Sequence, residues 1–174
     1  LSHYIATNAI DAVETSHDAF GEAEASARAR TLKLLSIKGD KTVLEFHRQL
    51  GHLIWEGVGM SRSKTTLQQT IDEVRSLRQE FWQDLRVPGK ANTLNKNLEL
   101  AGRVADFMEL GELMARDALT REESCGSHFR EECQTADGEA QRKDEQFSTV
   151  AAWQYRGNEQ VHQLVTEQLT YENV

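Results

Sequence analysis

The chain has a single proline, Pro88, and two cysteines, Cys125 and Cys133, among 174 residues. Two cysteines in one polar stretch are too few for the disulfide framework of a small secreted domain, so reduced thiols in a cytosolic protein are expected. No apolar run approaches the roughly 20 residues that span a bilayer, and no basic start with an apolar centre marks a signal peptide. Positive charge is scarce as well: 20 Lys and Arg stand against 28 Asp and Glu, a net charge of -8. Without a Lys/Arg cluster to neutralise phosphates, nucleic acid and anionic membrane surfaces are not expected as partners. Internal repeats, low-complexity tracts and sustained heptads are missing too.

Several kinds of chemistry lack their residues. No glycine-rich turn links a strand to a helix, so nothing cradles a dinucleotide or triphosphate. Ser124, Cys125 and His128 lie close in sequence but outside a G-x-S-x-G elbow. His47 and His52 are spaced about 140° apart around a helix, so they do not converge as an H-E-x-x-H pair would. A di-iron bundle needs Glu-x-x-His on two helices, and the match offered is Glu14 to His17, outside the main helices. Cys125, His128 and Cys133 supply three of the four ligands of a closed zinc site; a fourth would have to come from elsewhere. The plain reading there is two free thiols and a hydrogen-bonded histidine.

What is present is helical periodicity. In "DAFGEAEASARARTLKLLSI" the residues Phe20, Ala23, Ala27, Thr31 and Leu34 share one face, preceded by an apolar "YIATNAIDAV" without an obvious partner. Gly39 and Asp40 break that helix. Thr42 and Glu45 then form a capping box for a second one, with Val43, Phe46, Leu50, Leu53 or Ile54, and Gly57 as its buried stripe. Ser63 caps a third helix, carrying Leu67, Ile71, Val74, Leu77, Phe81 and Leu85, that should stop before Pro88. A fourth runs from Leu98 to about Thr120, with Leu100, Val104, Phe107, Met108, Gly111, Met114, Ala115 and Ala118 along one side. The tryptophans Trp55, Trp82 and Trp153 lie in or beside these stripes and are expected to pack in the core. The expected fold is mainly α, a four-helix bundle of spectrin-like or up-down type over residues 1–120.

Residues 121–146 are polar and irregular, a length uncommon inside a compact domain unless it is functional or docked. "FSTVAAWQY" and "VHQLVTEQLTY" flank the turn residues "RGNEQ" and predict a C-terminal β-hairpin over 147–174. A two-stranded hairpin is marginal alone in water, so it needs the helices, another domain or a partner to lie on. The missing initiator methionine and the end at Val174, within a predicted strand, lead us to expect a piece of a longer protein.

"GRVADFMELGELMARDALTREESCGSHFREE", Gly102 to Glu132, resembles the C-terminal helical region of succinate dehydrogenase and fumarate reductase flavoprotein subunits. In that family a long helix ends in Arg-x-Glu-Ser-x-Gly-x-His-x-Arg, which here reads Arg121, Glu123, Ser124, Gly126, His128 and Arg130. The likeness extends through "EFHRQLGHLIWEGVGMSRS", "LRQEFWQDLRVPG", "DGEAQRKDEQFSTVAAWQY" and "LTYENV", and is greatest to the variant paired with a diheme cytochrome subunit. Position 125, often arginine in the family, is cysteine here, which argues against a thiol or zinc role.

The resemblance implies an oxidoreductase of succinate and fumarate working through FAD. The flavin-binding and capping domains that carry the chemistry precede this region, so the chain itself is expected to hold no catalytic residue, cofactor or metal. Implied partners are those domains of the same polypeptide together with the iron-sulfur subunit, then the membrane cytochrome subunit, at the cytoplasmic face of the membrane. A homodimer is an option for the excised domain. Arg121 suits the negative end of the fourth helix and Gly126 a turn of positive φ. Glu123, Ser124, His128 and Arg130 are then expected to pin the loop against the flavin-binding domain, or else to cap the helix locally. A free-standing acidic helical interaction module is the alternative function.

Overall fold

The structure is a computed structural model and describes residues 2–8, 14–157, 160 and 162–171. In chain order its elements are α1 (Ser2–Thr7), α2 (Asp18–Ser36), β1 (Lys41–Thr42), α3 (Val43–Val58), α4 (Lys64–Asp84), β2 (Leu85–Arg86), α5 (Lys96–Thr120), α6 (Asp144–Phe147), β3 (Thr149–Gln154) and β4 (Gln163–Gln168). The fold is a helical bundle followed by an antiparallel β-hairpin. Part of the apolar segment 4–13, part of the turn 156–160 and the final three residues lie outside the described residues. The chain divides into two compact units, residues 1–46 with 79–106 and residues 47–78 with 107–174.

In the first unit, local chemistry sets the helix starts. The Glu45 carboxylate accepts from both the backbone N–H and the hydroxyl of Thr42, each at 2.7 Å, and the Glu45 N–H returns to the Thr42 hydroxyl. This is the expected capping box, and it starts α3 one residue after β1. β1 pairs in parallel with β2, Lys41 opposite Leu85 and Thr42 opposite Arg86. Gly39 lets the two segments approach: a Cβ there would lie 1.9 Å from the Asp84 carbonyl carbon. α5 begins at Lys96, two residues before the expected start, because the Asn95 side chain accepts the Leu98 N–H.

Phe46 and Phe81 meet edge to face, 5.2 Å between centroids, within a core of Leu34, Val43, Leu85, Ala101 and Val104. The face expected for the first helix is not buried as a whole. Of its five residues Leu34 is buried and Thr31 half-buried, whereas Phe20, Ala23 and Ala27 are exposed. Alanines offer little apolar area, so the first turns of α2 gain little by docking. Trp82 is half-buried, with the Lys33 ammonium 4.3 Å above its ring.

In the second unit, Leu50, Leu67, Ile71, Val74, Leu77, Met108, Ala115 and Ala118 are buried, as the periodicity predicts, and Val58 joins them from outside the expected stripe. Ser63 caps α4, accepting the Thr66 N–H at 3.1 Å. Gly57 and Gly111 act as close-approach points: a Cβ at Gly57 would strike the Thr70 hydroxyl, and one at Gly111 would crowd Ile54. Buried Glu112 binds three guanidiniums, Arg75, Arg78 and Arg116, fastening α4 to α5. Three expected core residues face outward instead: Trp55 is 79% exposed, Phe107 41% and Met114 47%. Helical spacing locates a stripe but not its edges, and these three stand at the margins of theirs.

β3 and β4 pair in antiparallel register, Thr149 opposite Gln168 and Gln154 opposite Gln163. Within this unit the hairpin is tied to α5 by Trp153, whose indole N–H donates to the Asp117 carboxylate at 2.7 Å.

Candidate functional site: a junction of three helix ends

The last four carbonyls of any α-helix lack partners within the helix. At the end of α5 they receive one side chain from beyond the turn. Nη1 of Arg130 donates to the carbonyls of Ala118 (2.9 Å), Leu119 (3.2 Å) and Arg121 (3.3 Å), and Nη2 donates to Glu132 Oε1 at 2.7 Å. Arg130 is buried to 1% exposure, so this charge is removed from water and compensated by carbonyl dipoles and one carboxylate.

The residues between fold to make that reach possible. Cys125 and His128 exchange both backbone hydrogen bonds, closing a two-residue turn, and Gly126 supplies φ +59 at its first central position. Tight hairpin turns require a positive φ there, which glycine adopts without strain. The buried Ser124 hydroxyl accepts the Arg130 N–H at 2.8 Å and donates to the Arg130 carbonyl at 3.1 Å. Glu123, 1% exposed, receives the Arg121 guanidinium on Oε1 and the Lys143 N–H on Oε2. Burial would raise its carboxyl, but the Lys143 N–H and Arg121 together outweigh it and hold the pKa below the ordinary value.

Two further residues complete the junction, Arg62 and Glu132, and each brings in a segment distant in sequence. Arg62 lies just past α3 and donates from Nε to the carbonyls of Val58 (3.2 Å) and Gly59 (2.9 Å), closing that helix as Arg130 closes α5. Its Nη1 is 2.8 Å from His128 Nδ1, while His128 Nε2 is 2.9 Å from the Arg121 carbonyl. Glu132 accepts the N–H of Lys64, the first residue of α4, at 2.6 Å. Backbone bonds from Arg62 N–H to the Phe129 carbonyl and from Glu131 N–H to the Arg62 carbonyl lock the two segments together. Residues 121–132 thus join the C-terminal ends of α3 and α5 to the N-terminal end of α4. Arg62 reaches His128 across 66 residues, and Glu132 reaches Lys64 across 68 while also holding Arg130 two residues away.

All six residues singled out from the sequence meet here, and their chemistry is spent on one another. The Ser124 hydroxyl is bonded on both sides with no base beside it, and both His128 nitrogens are engaged. Cys133 is buried and Cys125 half-buried, both as free thiols. Among the described residues no cluster of three or more His, Cys, Asp or Glu side chains is placed to hold a metal. The arrangement stitches the ends of three helices together.

Comparison with known proteins follows the same line. The family described as "Fumarate reductase flavoprotein C-term" matches residues 47–174. The chain belongs to that family. Among relatives of this flavoprotein C-terminal domain, the fumarate reductase flavoprotein subunit of Haemophilus influenzae is 23% identical over 127 residues, 73% of this chain and 21% of the relative. A fumarate reductase (CoM/CoB) subunit of Methanothermobacter marburgensis is 33% identical over 88 residues, 51% of this chain and 16% of the relative. An L-aspartate oxidase of Synechocystis is 28% identical over 113 residues, 57% of this chain and 20% of that protein.

Two solved structures share the fold. A quinol fumarate reductase of Escherichia coli superposes with a TM-score of 0.78 and 22% identity over 98% of this chain and 27% of its own. Mycobacterium smegmatis Sdh1 does so with 0.72 and 22% over 97% and 27%. The flavoprotein C-terminal domain thus spans about a fifth of the length of the curated relatives it matches.

The place where a short parallel strand runs into a helix is β1 to α3, and there the Glu45 carboxylate occupies the helix N-terminus that a pyrophosphate would need. No helix among the described residues is long and apolar enough to cross a membrane.

Proposed function

We propose that this domain is the non-catalytic C-terminal scaffold of a flavoprotein subunit that interconverts succinate and fumarate. The flavin-binding and capping domains of that subunit hold FAD and the reacting groups, and this domain packs on them. Electrons pass from FAD to an iron-sulfur subunit, then to a membrane cytochrome subunit, which keeps the assembly at the cytoplasmic face of the membrane.

The observation that carries this reading is the coincidence of the family match over 47–174 with a signature whose six residues all serve one helix junction. Arg121, Glu123, Ser124, Gly126, His128 and Arg130 hold the joint rigid, and the exposed Glu122, Gly126 and Ser127 at its surface are what a neighbouring domain would touch. In this role the buried donors act from behind the contact and do not cross it, because their partners lie within the chain.

The test is to mix the purified chain with a separately expressed flavoprotein lacking this region and follow complex formation with succinate-dependent dye reduction. Binding that raises flavin retention or activity, with no activity from the chain alone, is the expected result. A well-folded, flavin-loaded partner that ignores the chain would overturn the reading.

A further inference from the structure

The ring of His128 sits between two arginine-closed helix ends, and the contacts on its two nitrogens fix its protonation. Arg62 Nη1 can only donate, so Nδ1, 2.8 Å away, presents its lone pair. The Arg121 carbonyl can only accept, so Nε2, 2.9 Å away, carries the proton. One neutral tautomer satisfies both contacts, whereas the doubly protonated ring satisfies only the second.

We propose that His128 is a proton-operated latch: neutral, it ties the Arg62 turn that closes α3 to the end of α5, and a proton on Nδ1 expels Arg62 and frees the Cys125–His128 turn while the helices stay folded. The cations facing the ring come from three segments, Arg62 from the α3–α4 turn, Arg121 from the end of α5 and Arg130 from beyond the hairpin turn. The carboxylates that could offset them are already engaged. Glu123 binds Arg121 and the Lys143 N–H, Glu132 binds Arg130 and the Lys64 N–H, and Glu131 accepts from Ser61. A fourth positive charge, on the imidazole, therefore has no local partner to gain.

Burial first, then the three guanidiniums, outweigh the pull of the Arg121 carbonyl and lower the imidazole from its ordinary 6.5. With the folded value depressed, the latch is complete above the ordinary imidazole value and is lost as pH falls through the lowered one. Loosening reaches the backbone through the flanking bonds, Arg62 N–H to Phe129 and Glu131 N–H to Arg62.

The test uses the 174-residue chain itself. Long-range 1H–15N spectra of the imidazoles at about pH 8 should show His128 protonated on Nε2 alone, and the titration midpoint should fall below the ordinary histidine value. Amide protection at Arg62, Cys125 and Glu131, corrected for intrinsic exchange, should be lost between about pH 8 and about pH 5, while Leu67 and Val74 keep theirs. Arg62→Met should move the midpoint upward and remove the pH dependence of protection at Cys125. An Nδ1-protonated tautomer, a midpoint at or above the ordinary value, or protection that survives protonation of the ring overturns the proposal, and each is read on the wild-type chain even if the variant fails to fold.

Discussion

One oxygen of Glu132 receives both the buried guanidinium of Arg130, at 2.7 Å, and the N–H of Lys64 at the start of α4, at 2.6 Å. Through that atom the residue that closes α5 is coupled to the residue that opens α4. The carboxylate suits the positive end of α4 as well as the guanidinium, so one charge serves both.

Removing Arg130 should therefore cost more than one hydrogen bond. Arg130→Met keeps much of the stem volume but leaves the carbonyls of Ala118 and Leu119 without their donor in a buried site, and strips Glu132 of its cation. Each orphaned buried group costs about 1–3 kcal/mol, so a loss of about 3 kcal/mol is expected in urea unfolding. Arg130→Lys should recover only part of it, since a point charge cannot serve three carbonyls and a carboxylate from one planar fork. Equal stability of Arg130→Met and wild type would remove the junction from any account of this fold.

Glu123 makes a pH prediction with a definite sign. Its folded pKa is lowered, so the stability it contributes is complete above the ordinary carboxyl value and is lost as pH falls through the lowered one. Glu123→Gln keeps the shape and removes the titration. Melting temperature followed from neutral pH downward should fall more steeply for wild type than for the variant in the acidic range. Parallel curves would show that Lys143 and Arg121 do not hold the carboxylate charged.

How far the sequence reaches can be judged residue by residue. The capping box of Thr42 and Glu45, the Ser63 cap and the stripe from Leu67 to Leu85 were legible because each is a pattern within a few residues. The outward turn of Trp55 was not, since periodicity says which residues share a face and not how wide the covering neighbour is. The exposure of Phe20 has the same origin, in a helix whose first turns combine alanine with glycine and charged residues. At the junction the six signature residues could be read together, but the contacts of Arg62 with His128 and of Glu132 with Lys64 span more than sixty positions, which only the assembled fold brings together.

Gly57 tests how closely α3 and α4 approach. A Cβ there would lie 1.7 Å from the Thr70 hydroxyl and 2.8 Å from Thr70 Cβ, so rotating the hydroxyl away still leaves the Cβ atoms too close. Gly57→Ala should destabilise by about 1–3 kcal/mol despite alanine's better helix propensity, because overpacking outweighs the smaller helical gain. Combining it with Thr70→Gly should cost less than the two single changes summed, as expected for residues in contact. Strict additivity would mean that the helices part freely at this point.

Trp55 supplies the opposite case, a large apolar side chain whose loss should hardly matter to the isolated chain. At 79% exposure it has little burial to forfeit, so Trp55→Ser should shift stability by no more than about 0.5 kcal/mol. The same change bears on association, since tryptophan is enriched at the energetic centres of protein contacts and this one projects from the last turn of α3. Leu110 and Met114 on α5 are also about half exposed. If these side chains meet the rest of the flavoprotein, Trp55→Ser should weaken binding to the separately expressed flavin-binding part while the melting temperature of the free chain stays put. A fall in both would show instead that the indole supports the fold; a fall in neither would place the contact on another face.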